Sequence, residues 1–286
     1  MRVRIIFKLR NKGVSLPFHH QHLLTEFVTK MLSGKDFSNI PYNFSGLKGQ
    51  TRVSRNGLFY YSNRVTLVLS TLDKDFVDFF LNRVFQNTLL EIGNLILTPE
   101  AVEEELQPTF ANPCKYICIS PLVALMGKPE ANNSLKDFIT PDSEQFSDML
   151  YESTMSRMER SGLFTAADIA SFYQFQIMPD MVYLERIKQE SKKFARIYTL
   201  PEQQPNQKVE VRGYTFPFAL YAHPKVHEFI FNCGFGEATE FGYGMLDLAN
   251  ADPLARAVPY MFPKVVEAEK TANMYSTVLM NKQKLD

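Results

Sequence analysis

Residues 232–245 read Asn-Cys-Gly-Phe-Gly-Glu-Ala-Thr-Glu-Phe-Gly-Tyr-Gly-Met, between an expected helix end and a terminal strand. Gly234, Gly236, Gly242 and Gly244 form two Gly-x-Gly pairs separated by five residues. Glycine at that density admits positive φ and lets a ligand or another chain approach bare backbone, whose N–H groups can receive phosphate oxygens. The order helix, loop, strand is the reverse of a dinucleotide fingerprint, and the Gly-Lys-Ser/Thr of a P-loop is absent. The competing reading is structural, with a helix C-cap at Gly234 and bulges at Gly242 and Gly244.

The second chemical signal is the cluster His19, His20 and His22. Histidine suits acid or base work because a pKa near 6.5 leaves both forms accessible at neutral pH. At helical spacing His20 stacks over Leu24, Phe27 and Met31 and belongs to a buried stripe, whereas His22, with Glu26 and Thr29, and His19, beside Leu23, can reach a bound phosphate. His223 and His227 flank a later short helix and become candidates only if that helix turns toward a ligand. Neither His-Glu-x-x-His nor an Asp-rich cluster is present, so no metal site and no cofactor is expected.

The elements that position these residues follow from periodicity. Arg2 to Arg10 alternates basic and apolar side chains, a half-buried strand from which Arg2, Arg4 and Lys8 project. A helix opens at Ser15-Leu16-Pro17, carries Leu24, Phe27, Val28 and Met31 inward, and ends at Gly34. Two strands, 57–62 and 65–70, join at Asn63-Arg64; a helix runs from Asp73 with Phe76, Phe79, Phe80, Val84 and Phe85 inward; and a strand covers 94–98. This is β-α-β-β-α-β, a ferredoxin-like unit. The order recurs: a strand at 115–120, a helix capped at Thr140-Pro141 and continuing toward Ile177, middle strands in 192–200 and 209–221, a helix opened by Pro224 and a closing strand in 241–248. The expected fold is therefore α+β with tandem ferredoxin-like (βαββαβ) domains. Their expected bounds are 1–112 and 113–250, the second carrying the glycine-rich loop, followed by a C-terminal extension, 251–286, with a helix from Val265 to Leu279.

Composition narrows the function classes. The 286 residues carry a net charge of zero, 45% hydrophobic and 22% charged side chains, which excludes wholesale disorder. No apolar run reaches the roughly 18 residues of a membrane span, so no membrane partner is expected. The N-terminus lacks the layout of a secretory signal, so the expected compartment is cytoplasmic. Cys114, Cys118 and Cys233 contain no Cys-x-x-Cys pair and read as small core residues. Charge is unevenly spread, with a net of +8 over residues 1–60 and −5 over 61–110. A basic face on a neutral protein is the footprint of a polyanion site. Lys35, Lys48, Arg52 and Arg55 interleave with Tyr42, Phe44, Phe59 and Tyr60, a pattern for phosphate contacts and base stacking, with Phe44 and Phe59 expected in the core.

Residues 233–245 resemble, nearly position for position, the C-terminal signature of the CRISPR pre-crRNA-processing endoribonucleases (CRISPR-associated protein six), within the repeat-associated mysterious protein superfamily. Leu16-Pro-Phe-His-His-Gln-His-Leu23, Tyr42-Asn-Phe-Ser45 and Tyr116-Ile-Cys-Ile-Ser-Pro121 also match in the family's order, so the resemblance covers roughly residues 1–250. It implies tandem ferredoxin-like domains, binding of CRISPR repeat RNA, and metal-independent cleavage of precursor crRNA leaving a cyclic phosphate and a 5′-hydroxyl. It also implies a homodimer and other CRISPR-associated proteins as partners. For that chemistry the expected catalytic residues are His22, then His19, with Lys48 as the cation on the phosphate; Lys35, Arg52, Arg55, Gly234, Gly236, Gly242 and Gly244 are expected to bind RNA. The sequence departs from the family in two places: Leu32 to Tyr42 contains no histidine, and Thr29 stands where a helix tyrosine is common. That departure keeps open a second reading, a repeat-RNA-binding subunit that does not cleave. A nucleotide-binding tandem ferredoxin protein is a third, and it conflicts with the basic segment.

Overall fold

The computed structural model describes residues 1–55, 57–124, 139–200 and 209–263. In chain order the elements of the first half are β1 (Arg2–Leu9), β2 (Ser15–Leu16), α1 (Gln21–Leu32), β3 (Tyr42–Phe44), β4 (Thr51–Ser54), β5 (Gly57–Tyr60), β6 (Arg64–Thr71), α2 (Lys74–Phe85), β7 (Leu90–Ile92) and β8 (Leu95–Glu105). There follow β9 (Cys114–Cys118), β10 (Leu122–Val123), α3 (Glu144–Arg160), α4 (Ala166–Ser171), β11 (Phe175–Pro179), α5 (Met181–Gln189), β12 (Ala195–Thr199), β13 (Glu210–Tyr214), β14 (Phe218–Ala222), α6 (Pro224–Cys233), β15 (Leu246–Leu248) and β16 (Ala257–Pro259).

The fold is α+β, and the alternation of β1 shows why. Val3, Ile5, Phe7 and Leu9 are buried against Leu24 and Phe27 of α1 and Phe76 and Phe80 of α2, which fixes the helices on one face of an antiparallel sheet ordered β8-β1-β6-β3. The second half repeats the plan as β15-β9-β14-β11, its core built from Tyr116, Phe218 and Leu220 against Phe146 and Leu150 of α3 and Phe229 and Ile230 of α6. Each half adds a small three-stranded sheet, β2-β5-β4 in the first and β10-β13-β12 in the second. β16 pairs with β8, so residues 257–259 extend the first sheet rather than leave it. The helix expected from Val265 to Leu279 lies outside the described residues. Among the described residues no helix is long and apolar enough to cross a membrane. Cys114 and Cys233 are buried, Cys118 is half-buried, and all three are free thiols.

Several local expectations are corrected. Ser15 and Leu16 do not open a helix; they pair with Phe59 and Leu58, because a strand there buries Leu16 completely, and α1 starts only at Gln21. The second strand of the first ferredoxin unit is β3, and β5, expected in that sheet, pairs instead with β2 and β4. In the second half the helix stops at Arg160, with Ser161 and Gly162 (φ +67°) ending it. Residues 175–179 form the second strand of the unit, paired with β14, so the helix expected to continue to Ile177 does not reach that far. β12 and β13, expected as middle strands, form the accessory hairpin. A short apolar run satisfies a helix period and a strand period equally, and tertiary pairing decides between them. The cap of α3 is Ser143, whose hydroxyl accepts from the Phe146 N–H, rather than Thr140.

Candidate functional site

The halves meet along a seam built by polar side chains that cross it. Asn43 on β3 is fully buried and its Nδ2 donates to the Tyr243 carbonyl at 2.6 Å, while Gln21 Nε2 donates to the Gly242 carbonyl at 3.1 Å. Arg2, 2% exposed, does not project to solvent as the strand alternation suggested. Its guanidinium donates to the carbonyls of Phe231 and Leu246 at 2.6 and 2.9 Å and sits 3.8 Å from Glu105. Arg4 lies 3.6 Å from Glu103 and 3.5 Å from Glu105. These two charges are neutralised inside the protein, so of the three basic residues on β1 only Lys8 is exposed.

The glycine loop closes on the chain itself. Gly234, Gly236, Gly242 and Gly244 are buried with φ between 73° and 81°. A Cβ on Gly234 would lie 1.9 Å from Asn43 Nδ2, and one on Gly242 would lie 1.8 Å from Gln21 Nε2 and 2.6 Å from the Phe44 ring. Glycine is required here because the first half packs its side chains onto this backbone. The N–H groups of Phe235, Glu237, Gly242 and Gly244 donate to the carbonyls of Gly244, Val123, Thr239 and Pro121, so of the glycines expected to receive phosphate, Gly242 and Gly244 spend their N–H groups on protein acceptors. From beneath, the buried Arg157 of α3 donates to the carbonyls of Cys233, Gly234 and Gly236, the last two at 2.8 and 3.0 Å, and its guanidinium lies over the Phe229 ring.

Against this loop the start of α1 forms a cleft of about 180 Å³ containing His19, His22, Tyr198, Thr199 and Tyr243. His19 and His22 are exposed, and the His19 ring meets Tyr198 edge-on at 5.2 Å. Tyr198 in turn meets Tyr243 at 5.5 Å. His20 lines the same cleft but is buried, as the stripe predicted; its Nδ1 lies 3.0 Å from the Pro17 carbonyl, its Nε2 has no partner, and burial pushes its pKa down. His227 is also buried, with Nδ1 2.9 Å from the Tyr116 hydroxyl, and His223 caps α6, its side chain accepting from the Lys225 N–H. Both therefore serve the core and a helix end. The structure brings His19 and His22 together and places Lys48 in a different cleft, with Lys8, Lys12, Gln50 and Arg64. Lys48 pairs with Thr66 at the sheet margin, and desolvation together with Arg4 lowers its pKa.

The other basic candidates are exposed. The Lys35 ammonium lies 4.9 Å from the Phe37 ring centre, Arg52 on β4 lies 5.5 Å from that of Tyr61, and Arg55 occupies the turn before β5. Of the interleaved aromatics, Phe44 and Tyr60 are buried and Tyr42 and Phe59 half-buried. Among the described residues no group of three His, Cys, Asp or Glu side chains is arranged to hold a metal ion. The sequence reading missed Tyr198, Tyr243 and Arg157. No local spacing marks the two tyrosines, but a lone arginine on the apolar side of α3, between Thr154, Met155 and Met158, was a legible signal of a buried partner set.

A family model described as CRISPR associated protein Cas6, C-terminal, matches residues 103–248. No curated protein matches the chain. Among solved structures, one described as a Cas6-related gene from Pyrococcus furiosus is 18% identical and superposes with a TM-score of 0.70 over 88% of this chain and 99% of its own. A CRISPR associated protein Cas6 gives 15% identity and 0.68 over 87% and 98%, and a RAMP protein described as binding different RNA substrates gives 18% and 0.68 over 87% and 99%. At such identities these likenesses speak to the fold.

Proposed function

Because the chain belongs to the Cas6 family of CRISPR-associated proteins, we propose that it binds CRISPR repeat RNA and cuts it by attack of a ribose 2′-hydroxyl on the adjacent phosphate. A base takes the 2′-hydroxyl proton, the 2′-oxygen bonds to phosphorus, the bond to the 5′-oxygen breaks, and an acid protonates that oxygen. The products are a cyclic phosphate and a 5′-hydroxyl, and no metal is needed to balance the step. The observation that carries this reading is the exposure of His19 and His22 in one cleft at the seam, against the glycine loop. Two imidazoles on one wall supply the base and the acid. Lys8, Lys12 and Lys48, with Lys35, Arg52 and Arg55, hold phosphates along the first half. Gly234 and Gly242 act by letting the loop close on Asn43 and Gln21, which fixes Tyr243 in the cleft, while Gly236 and Gly244 let the loop pack on the backbone of Val123 and Phe235.

A second reading, a repeat-RNA-binding subunit that leaves its RNA intact, is favoured by one feature: Lys48 does not line the histidine cleft. The two readings separate when labelled repeat RNA is incubated with the protein in excess EDTA and resolved on a denaturing gel. The cleavage reading expects one discrete cut with a cyclic-phosphate end, slowed about 10²- to 10⁴-fold in His22→Ala or His19→Ala. A mobility shift with uncut RNA gives the protein to the second reading, and neither a shift nor a cut removes both.

A further inference from the structure

The histidine cleft is lined by aromatic rings that the chemistry above does not use. Tyr198 lies on β12 beside Gly213 of β13, where a Cβ would come within 2.8 Å of both the Tyr198 ring and Pro121. A bare backbone therefore cushions the ring. Around it, His19 stands at 86° and Tyr243 at 67°, so neither ring stacks flat on Tyr198. Burial pushes the Tyr198 phenol up, so it stays neutral. None of the residues lining the cleft is acidic, and Gln21 and Thr199 supply polar groups on its rim. At about 180 Å³ the space admits a single planar heterocycle and not a duplex.

We propose that this cleft takes one unpaired nucleobase of the RNA, stacked on Tyr198, and so sets the adjoining phosphate against His19 and His22. The inference rests on the RNA reading above and makes Tyr198 a positioning residue. Every base offers a π-face, so the platform fixes where one nucleotide sits rather than which base it is; stacking of this kind changes affinity about 5- to 150-fold when the ring is removed.

The chain contains no tryptophan, so Tyr198→Trp places a single indole in the cleft. Titrated with unlabelled repeat RNA, its emission is expected to be quenched by stacking, while Tyr173→Trp, at a position 73% exposed and outside the cleft lining, keeps its emission. In parallel, 2-aminopurine scanned through the repeat is expected to be quenched at one position by the wild type and by Tyr198→Phe, and to recover with Tyr198→Leu. Quenching at no position, or a quenched position untouched by a folded Tyr198→Leu, overturns the platform. If Tyr198→Leu does not fold, the indole titration decides alone: a mobility shift without quenching overturns the platform and leaves the RNA reading standing. Absence of any shift by the wild type overturns the RNA reading itself, and the platform with it.

Discussion

His227 is enclosed by Tyr116, whose hydroxyl lies 2.9 Å from Nδ1, and by Phe110, stacked at 18° to its ring. Burial pushes its pKa down to about 4. In the unfolded chain an imidazole titrates near 6.5, so between pH 6.5 and about 4 the unfolded state takes up a proton that the folded state refuses. Stability is therefore full above pH 6.5 and falls as pH drops through that window, by about 3 kcal/mol from this residue. His20, lowered in the same direction by burial, adds to the loss. Urea melts at pH 7 and pH 4.5 are expected to show His227→Phe with lower baseline stability and a much weaker acid loss than the wild type; an unchanged acid loss would refute the assignment. At this scale the sequence was legible where a residue sat in a strong period, as for His20 over Leu24 and Phe27. It was silent for His227, whose neighbours come from β9 and from the segment before it.

The glycine loop and α3 form one unit. Arg157 holds three carbonyls of the loop with a planar fork that lysine cannot reproduce, and its removal leaves those acceptors buried without a donor. Arg157→Met is expected to cost about 3–5 kcal/mol, comparable to breaking a buried charged pair. Gly242→Ala is expected to cost about 2–4 kcal/mol, from left-handed backbone strain and the approach of Gln21 and Phe44. Thermal melts of the two variants check both, and a change below about 1 kcal/mol in either would show that the loop relaxes without its support. The four glycines were legible as a loop needing bare backbone. What approaches that backbone was not, because the side chains that do so lie on β3 and α1, some two hundred residues away in sequence.

Across the whole molecule the basic excess of residues 1–60 does not become a uniform surface. Arg2 and Arg4 are spent inside on Glu105 and Glu103, and Arg64 is paired with Glu100, which leaves Lys8, Lys12 and Lys48 as the exposed cations around one cleft. If RNA follows this strip, replacing the three lysines by alanine is expected to lower the slope of log affinity against log salt by about 2, since each phosphate contact on a single strand contributes roughly 0.7. Filter binding between 50 and 200 mM salt, roughly the range over which such contacts are felt, reads the slope; an unchanged value would take the strip out of the RNA path.

The sequence by itself determined the α+β class, the strand at 2–9, the burial of Phe76, Phe80 and Val84 on α2, the basic excess and the need for glycine at 234–244. Each is a local property, written in the period of a short segment or in a residue's own conformational range. Tertiary structure alone decided that β3 and β11 fill the second position of their sheets, that Arg2 turns inward, and that His19 meets Tyr198 across the seam. A short segment encodes which of its faces is apolar; which distant segment covers that face is settled only when the chain packs, and the candidate site lies where two such faces meet.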